Sequence, residues 1–245
     1  MASFSALAAA RHAVLTRVGY DVEEQGLSGA PQIAILAGDA AHATIVAAVQ
    51  MLGLGRGRVR RVAADDAGRM RPDSLREALA GVSGPVVVCA QAGEVNTGSS
   101  DPLDEIASLC QERGAWLHVD GAFGLWAAAS PARRHLVHGA DRADSWTVDG
   151  HKWLNVPYDT GYVFVRDAAA HRAAFASGAP YYPDPAAERE NFHYVPESSR
   201  RARGFPTWAA LRSLGGTASP SWSNAVARTR VAWRTRFVLH PKSSC

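Results

Sequence analysis

Six short, β-prone apolar runs are interleaved with helix-like stretches along this chain, and that order limits its fold more than any other feature. The runs are QIAILA (32–37), RVRRVA (58–63), PVVVCAQ (85–91), AWLHVD, ADSWTVD and GYVFVRD. Between them, AHATIVAAVQMLGLG has helical apolar spacing and is expected to end at Gly53 or Gly55. RPDSLREALAG reads as a helix with Asp73 near its start and Gly81 past its end. DPLDEIASLCQERG is expected to have Asp101 as its cap, Pro102 at the first helical position and Gly114 as its stop. Strands joined by helices imply an α/β fold with a mainly parallel central sheet covered on both faces.

In such sheets, ligands bind beyond the carboxyl ends of the strands. The positions to examine are therefore Gly38 to His42, Gln91 to Gly98, Asp120 to Phe123 and Asp149 to Lys152. With 245 residues, 47% of them hydrophobic, the chain suits one large α/β domain, alone or with a small appendix. A net charge of +3 with interspersed signs gives no reason to expect a nucleic-acid partner. No apolar run reaches a membrane-spanning length. The three cysteines, Cys89, Cys110 and Cys245, have no metal-binding spacing, so no metal is expected and a reducing cytoplasm is. The opening MASFSALAAARHAVLTRVGY carries no acid before Asp21 and has the composition of a transit peptide. A structural amphipathic helix is the preferred reading.

Asp120 closes AWLHVD, and Lys152 lies 32 residues later, after the next strand. Each alone is an ordinary turn residue or solvated charge. Together at one sheet edge they have the two groups that an aldehyde cofactor with a pyridine ring requires. A lysine amine forms the imine, and a carboxylate keeps the ring nitrogen protonated so that the ring can accept electrons. His42 also follows a strand, where a flat imidazole could stack on such a ring.

The pieces GDAAHATIVAAVQMLGLG, AGEVNTGSSDPLDEI, AWLHVDGAFG, DSWTVDGHKWLNVPYDTG and PESSRRARGFPTWAALRSLG resemble, in order and spacing, the group II pyridoxal-phosphate-dependent amino-acid decarboxylases. This is the family of aromatic amino-acid and glutamate decarboxylases. The resemblance covers roughly residues 1–215 and implies the large domain of the aspartate aminotransferase-like fold, fold type I. It implies pyridoxal 5'-phosphate as cofactor, Lys152 as the imine lysine, Asp120 as the pyridinium partner and His42 as the residue stacked on the ring. Ala122 would pack on the other ring face, Thr97 and Ser145 would lie at the cofactor, and His151 near its phosphate. The implied reaction converts an L-amino acid to an amine and CO₂, in a homodimer. Aromatic, acidic and diamino acids all remain open as substrates. An aminotransferase or desulfurase on the same fold, or a non-catalytic remnant, are the alternatives.

Four features depart from the family pattern. Asp149 stands where many members carry Asn, placing an added acid beside the cofactor. Tyr181, Tyr182 and Tyr194 do not align with the loop tyrosine that protonates the substrate carbon, which opens oxidative deamination as another outcome. The segment that should precede Met1, including a phosphate-binding Gly-Gly-Ser/Thr turn, is expected upstream in a longer reading frame. Residues 216–245 form an atypical basic tail, holding Arg228, Arg230, Arg234, Arg236 and Lys242 and no acid. Reading GTASPSWSNAVA one base out of register permits His-Gly-Val-Ala-Glu-Leu-Val-Glu-Arg-Cys-Cys, similar to the helix that follows LRSLGR in this family. A frameshift near Gly215 or Gly216 is therefore expected.

Overall fold

The computed structural model describes residues 1–176 and 190–213. The expected tail, Tyr181 and Tyr182 lie outside the described residues. Six strands form one sheet: β1 (Ala34–Gly38), β2 (Val59–Val62), β3 (Val86–Gln91), β4 (Trp116–Asp120), β5 (Ser145–Asp149) and β6 (Gly161–Val165). Their order is β2-β1-β3-β4-β5-β6. The first five are parallel, and β6 pairs antiparallel to β5. The antiparallel edge follows from a short connection. Only α6 (Gly150–Trp153) and a turn separate β5 from β6, too little chain for a parallel crossover.

The remaining helices are α1 (Ala2–Thr16), α2 (Val22–Gln25), α3 (Ala43–Met51), α4 (Pro72–Ala80), α5 (Leu103–Arg113), α7 (Ala168–Ala173) and a helix over 204–213. On one face of the sheet, Leu75 of α4 and Ile106 of α5 share a core with Leu36, Val88, Ala90 and Leu117. On the other, Val14 of α1 and Ile45 of α3 pack with Ile35, Val87, Cys89 and Trp116. Successive residues of β3 thus enter opposite cores, which is why PVVVCAQ is apolar without alternation.

Two local expectations change. Helix α1 is not amphipathic: nine of its fifteen residues are buried, because it sits beneath α7, α3 and the β4–β6 edge, where alanines let the backbones approach. Asp101 does not cap α5. Pro102 takes that place and the helix begins at Leu103. The Asp101 carboxylate, only 8% exposed, instead accepts the backbone N–H of Met70 and of Gln91, each at 2.7 Å. It ties the β2–α4 loop to the end of β3, and burial lifts its pKa to about 6 against those two bonds.

A raised folded-state pKa means that the folded chain holds this proton more tightly than the unfolded chain. The resulting stabilisation is full below about pH 4 and is lost as pH rises through about 6. Asp101→Asn should therefore cost about 1–3 kcal/mol at low pH, since an amide turns an NH₂ donor toward one of the two buried N–H groups, where the protonated acid still presents an oxygen. The deficit should shrink by neutral pH, as measured by urea unfolding of parent and variant at about pH 4.5 and 7.

Candidate active site

Parallel register sets three side chains in a row. Gln91 of β3 pairs with Asp120 of β4, and Asp120 pairs with Thr147 of β5. Gln91 and Asp120 are the last residues of their strands, Thr147 is the middle residue of β5, and all three line one cleft of about 610 Å³. The chain leaves β4 through a tight corner. Gly124 N–H donates to the Ala92 carbonyl at 2.9 Å, and a Cβ on Gly124 would stand 2.7 Å from that carbonyl. The last glycine of HVDGAFG is thus a packing requirement that holds the ends of β3 and β4 together.

Asp120 is 6% exposed. Its Oδ1 accepts from Ala122 N–H at 3.2 Å and, at 3.5 Å, faces the Thr147 hydroxyl. Burial raises its pKa, and Asp149 adds to the rise. The Ala122 N–H, His42 and Lys152 act in the opposite direction. A carboxylate so placed can share a proton with a basic nitrogen presented to it in the cleft.

His42 is the N-cap of α3. Its Nδ1 accepts from Thr44 N–H at 3.3 Å and lies 2.9 Å from the Thr44 hydroxyl, which fixes the ring at the cleft wall. Lys152 lies in α6, directly after β5. Its Nζ is 2.9 Å from Asp149 Oδ2 and 3.8 Å from the centre of the Phe123 ring. His151 donates from Nδ1 to the Thr160 carbonyl at 2.7 Å, while its Nε2 lies 3.4 Å from Asp149 Oδ2. The amino end of α1 opens into the same cleft, which Met1 to Ser5 line. The first N–H groups of a helix have no partner within it, so this end favours an anion.

A second concavity of about 510 Å³ lies between α1, α5 and the start of β5. Its arginines are committed: Arg17 to the Gly114 carbonyl, Arg142 to Asp104 and Arg166 to the Ala143 carbonyl. Among the described residues, no cluster of His, Cys, Asp or Glu has the arrangement of a metal site, and no helix is long and apolar enough to cross a membrane.

Residues 1–228 match the family model described as the pyridoxal-dependent decarboxylase conserved domain. The chain belongs to this family. Mouse acidic amino acid decarboxylase GADL1 is 33% identical over 208 residues, which are 80% of this chain and 37% of that protein. The crystal structure of mouse CSAD superposes with a TM-score of 0.83 at 31% identity, covering 96% of this chain and 49% of that one. The crystal structure of Rhodiola rosea 4-hydroxyphenylacetaldehyde synthase gives a TM-score of 0.80 at 25% identity, covering 99% and 51%. The chain therefore spans about half or less of the length of these relatives, and its fold is the fold type I large domain that these solved structures share.

In this decarboxylase-family chain, His42, Asp120, Ala122, His151 and Lys152 meet around the cleft, as the sequence anticipates. Two expected residues do not. Thr97 turns away: its hydroxyl donates to the Ala67 carbonyl at 2.8 Å and accepts from Ser99 N–H. Ser145 is the first residue of β5, at the edge of the sheet opposite the cleft. There it accepts from Trp116 Nε1 at 2.9 Å and contacts His118 Nδ1 at 3.0 Å. Gln91 and Thr147 stand at the cleft wall instead. Gln91 stands at a strand end that the sequence already marks, whereas Thr147 is not singled out there; only register shows that both flank Asp120.

Gly124→Ala should destabilise the chain by about 1–3 kcal/mol through overpacking against the Ala92 carbonyl, read from the midpoint of denaturant unfolding.

Proposed function

We propose that this chain is the cofactor-binding domain of a longer enzyme that uses pyridoxal 5'-phosphate to decarboxylate an L-amino acid, giving an amine and CO₂. The observation that carries the reading is the placement of Asp120 and Lys152 in one cleft, on the ends of adjacent parallel strands, with His42 and Ala122 beside them. The residues suit the cofactor. Both bonds to Asp120 fall on Oδ1, leaving Oδ2 for a ring N–H, and the buried carboxyl has a raised affinity for protons. The amino end of α1 and His151 provide for the phosphate. Lys152 has a primary amine able to bond an aldehyde carbon.

When bound, pyridoxal phosphate supplies a conjugated ring that takes up the electron pair left by a departing carboxylate. The chain's own residues do the rest. Asp120 would pair with a protonated ring nitrogen and so maintain the ring's electron demand. His42 covers one side of the cleft and Ala122 offers a small surface on the other, so a flat group fits between them. Lys152 would anchor the cofactor through its primary amine, a group that can also accept or give a proton. Gln91 and Thr147 are polar groups flanking Asp120, placed to orient what lies against it.

The full-length protein is proposed to act as a homodimer. Phe205, Trp208 and Leu211 lie exposed on the 204–213 helix, an apolar surface of the kind subunit contacts cover. A cytoplasmic location is proposed on the two buried free thiols, Cys89 and Cys110. The name of the Rhodiola rosea neighbour supports an aldehyde-forming second reading; both routes release CO₂, and the aldehyde route also consumes an oxidant such as O₂, so the product assay must score amine separately from aldehyde and ammonia.

Incubation with pyridoxal phosphate followed by borohydride should give an adduct that peptide mapping places on Lys152, absent in Lys152→Ala. An equal yield on another amine would overturn the assignment. In the full-length protein, Asp120→Asn should keep that adduct while turnover falls by about 10²-fold or more, the scale of losing one group aimed at developing charge. Near-normal turnover would reduce Asp120 to a structural role.

A further inference from the structure

The amine of Lys152 is not free. Its Nζ lies 2.9 Å from Asp149 Oδ2, and the two side chains keep only 21% and 19% of their exposure. The Phe123 ring closes over the nitrogen from another side, 3.8 Å from its centre. Asp149 is itself fixed by the strand. Its backbone pairs with Gly161 of β6, and its carbonyl accepts from Trp126 Nε1 at 3.1 Å. The other neighbour of its carboxylate is His151 Nε2, at a longer 3.4 Å. The arrangement is a rigid carboxylate at the end of β5, with the lysine three residues later folded back onto it.

We propose that Asp149 is the resident counter-ion of Lys152, holding the amine at the β5–α6 corner and competing with any carbonyl compound, the cofactor included, for that nitrogen. To bond a carbonyl carbon, the ammonium must leave the carboxylate and the Phe123 face and release a proton to solvent. The nitrogen then attacks the carbonyl carbon, and the carbonyl oxygen leaves as water. A partly buried carboxylate opposes the first two events, because it stabilises the ammonium more than it would in open water. It also repels an anionic ligand in the same cleft. Asp149 is thus a positioning residue that sets how readily Lys152 reacts. The proposal rests on Lys152 being the cofactor-bearing lysine, but its chemistry can be read without the cofactor.

Lys152 and Lys242 are the chain's two lysines, so each protein sample carries its own reference. Protein cleared of carbonyl compounds with hydroxylamine is treated with formaldehyde and cyanoborohydride, and peptide mapping follows methylation at each lysine over time. Asp149→Asn keeps the size and the hydrogen-bond acceptor and removes only the charge. It should raise the Lys152-to-Lys242 rate ratio about fivefold or more. The unmutated chain provides a second arm that does not depend on how a variant folds. Its ratio should rise roughly twofold or more between about 0.05 and 1 M sodium chloride, because salt screens an ion pair that remains partly exposed. The Asn variant should show no such salt response. A ratio unchanged by both the substitution and salt would overturn the proposal. Failure of Lys152 to hold pyridoxal phosphate would instead overturn the functional reading and leave this ratio as it was.

Discussion

The parallel pairing of β3, β4 and β5 is the constraint on which the site depends. Parallel strands run the same way, so their carboxyl ends arrive at one edge together, and here that register sets Gln91, Asp120 and Thr147 in a row. The same pairing requires crossovers over the faces, and the helices that make them seal both sides of the sheet. Asp101 and Gly124 serve this edge from outside the strands. One ties the β2–α4 loop to the Gln91 backbone, and the other lets the β4 corner lie against Ala92. The polar groups that the strands bring to this edge of the cleft are therefore held at a spacing set by the sheet.

Charge in the cleft is divided between two carboxylates with different surroundings. Asp120 is buried at the end of β4, where desolvation raises its proton affinity and nearby His42 and Lys152 moderate it. Asp149, one strand over and less buried, is satisfied by Lys152 and approached by His151. The first suits a proton shared with a bound nitrogen, and the second suits a cation. Neighbouring acids with opposite tasks are kept apart by one strand spacing and by the depth at which each strand ends.

Much of the fold could be read in the sequence. PVVVCAQ, AWLHVD and ADSWTVD become β3, β4 and β5, and Gly81 and Gly114 end α4 and α5 as expected. The errors share a cause. Asp101 before Pro102 looks like a helix cap, yet its carboxylate bonds residues 31 and 10 positions away in sequence. Ser145 and Thr97 have types that suit a cofactor site, but one is at the wrong end of its strand and the other faces the Ala67 carbonyl. Local chemistry was correct in each case, and long-range partners decided its use.

By itself, the sequence determined the interleaved strands and helices, the carboxyl-edge positions of His42, Asp120 and Lys152, and the resemblance that the family match bears out. These follow from short-range periodicity and from residue types set at strand ends. Only the tertiary structure decided that Gln91 and Thr147 flank Asp120, that α1 is buried around most of its girth, and that Asp149 holds the lysine amine. Those facts depend on strand register, on which helix covers which face, and on the direction in which α6 turns the lysine. Each is fixed by packing between segments far apart in the chain, where a small shift in register would have sent the same side chains elsewhere.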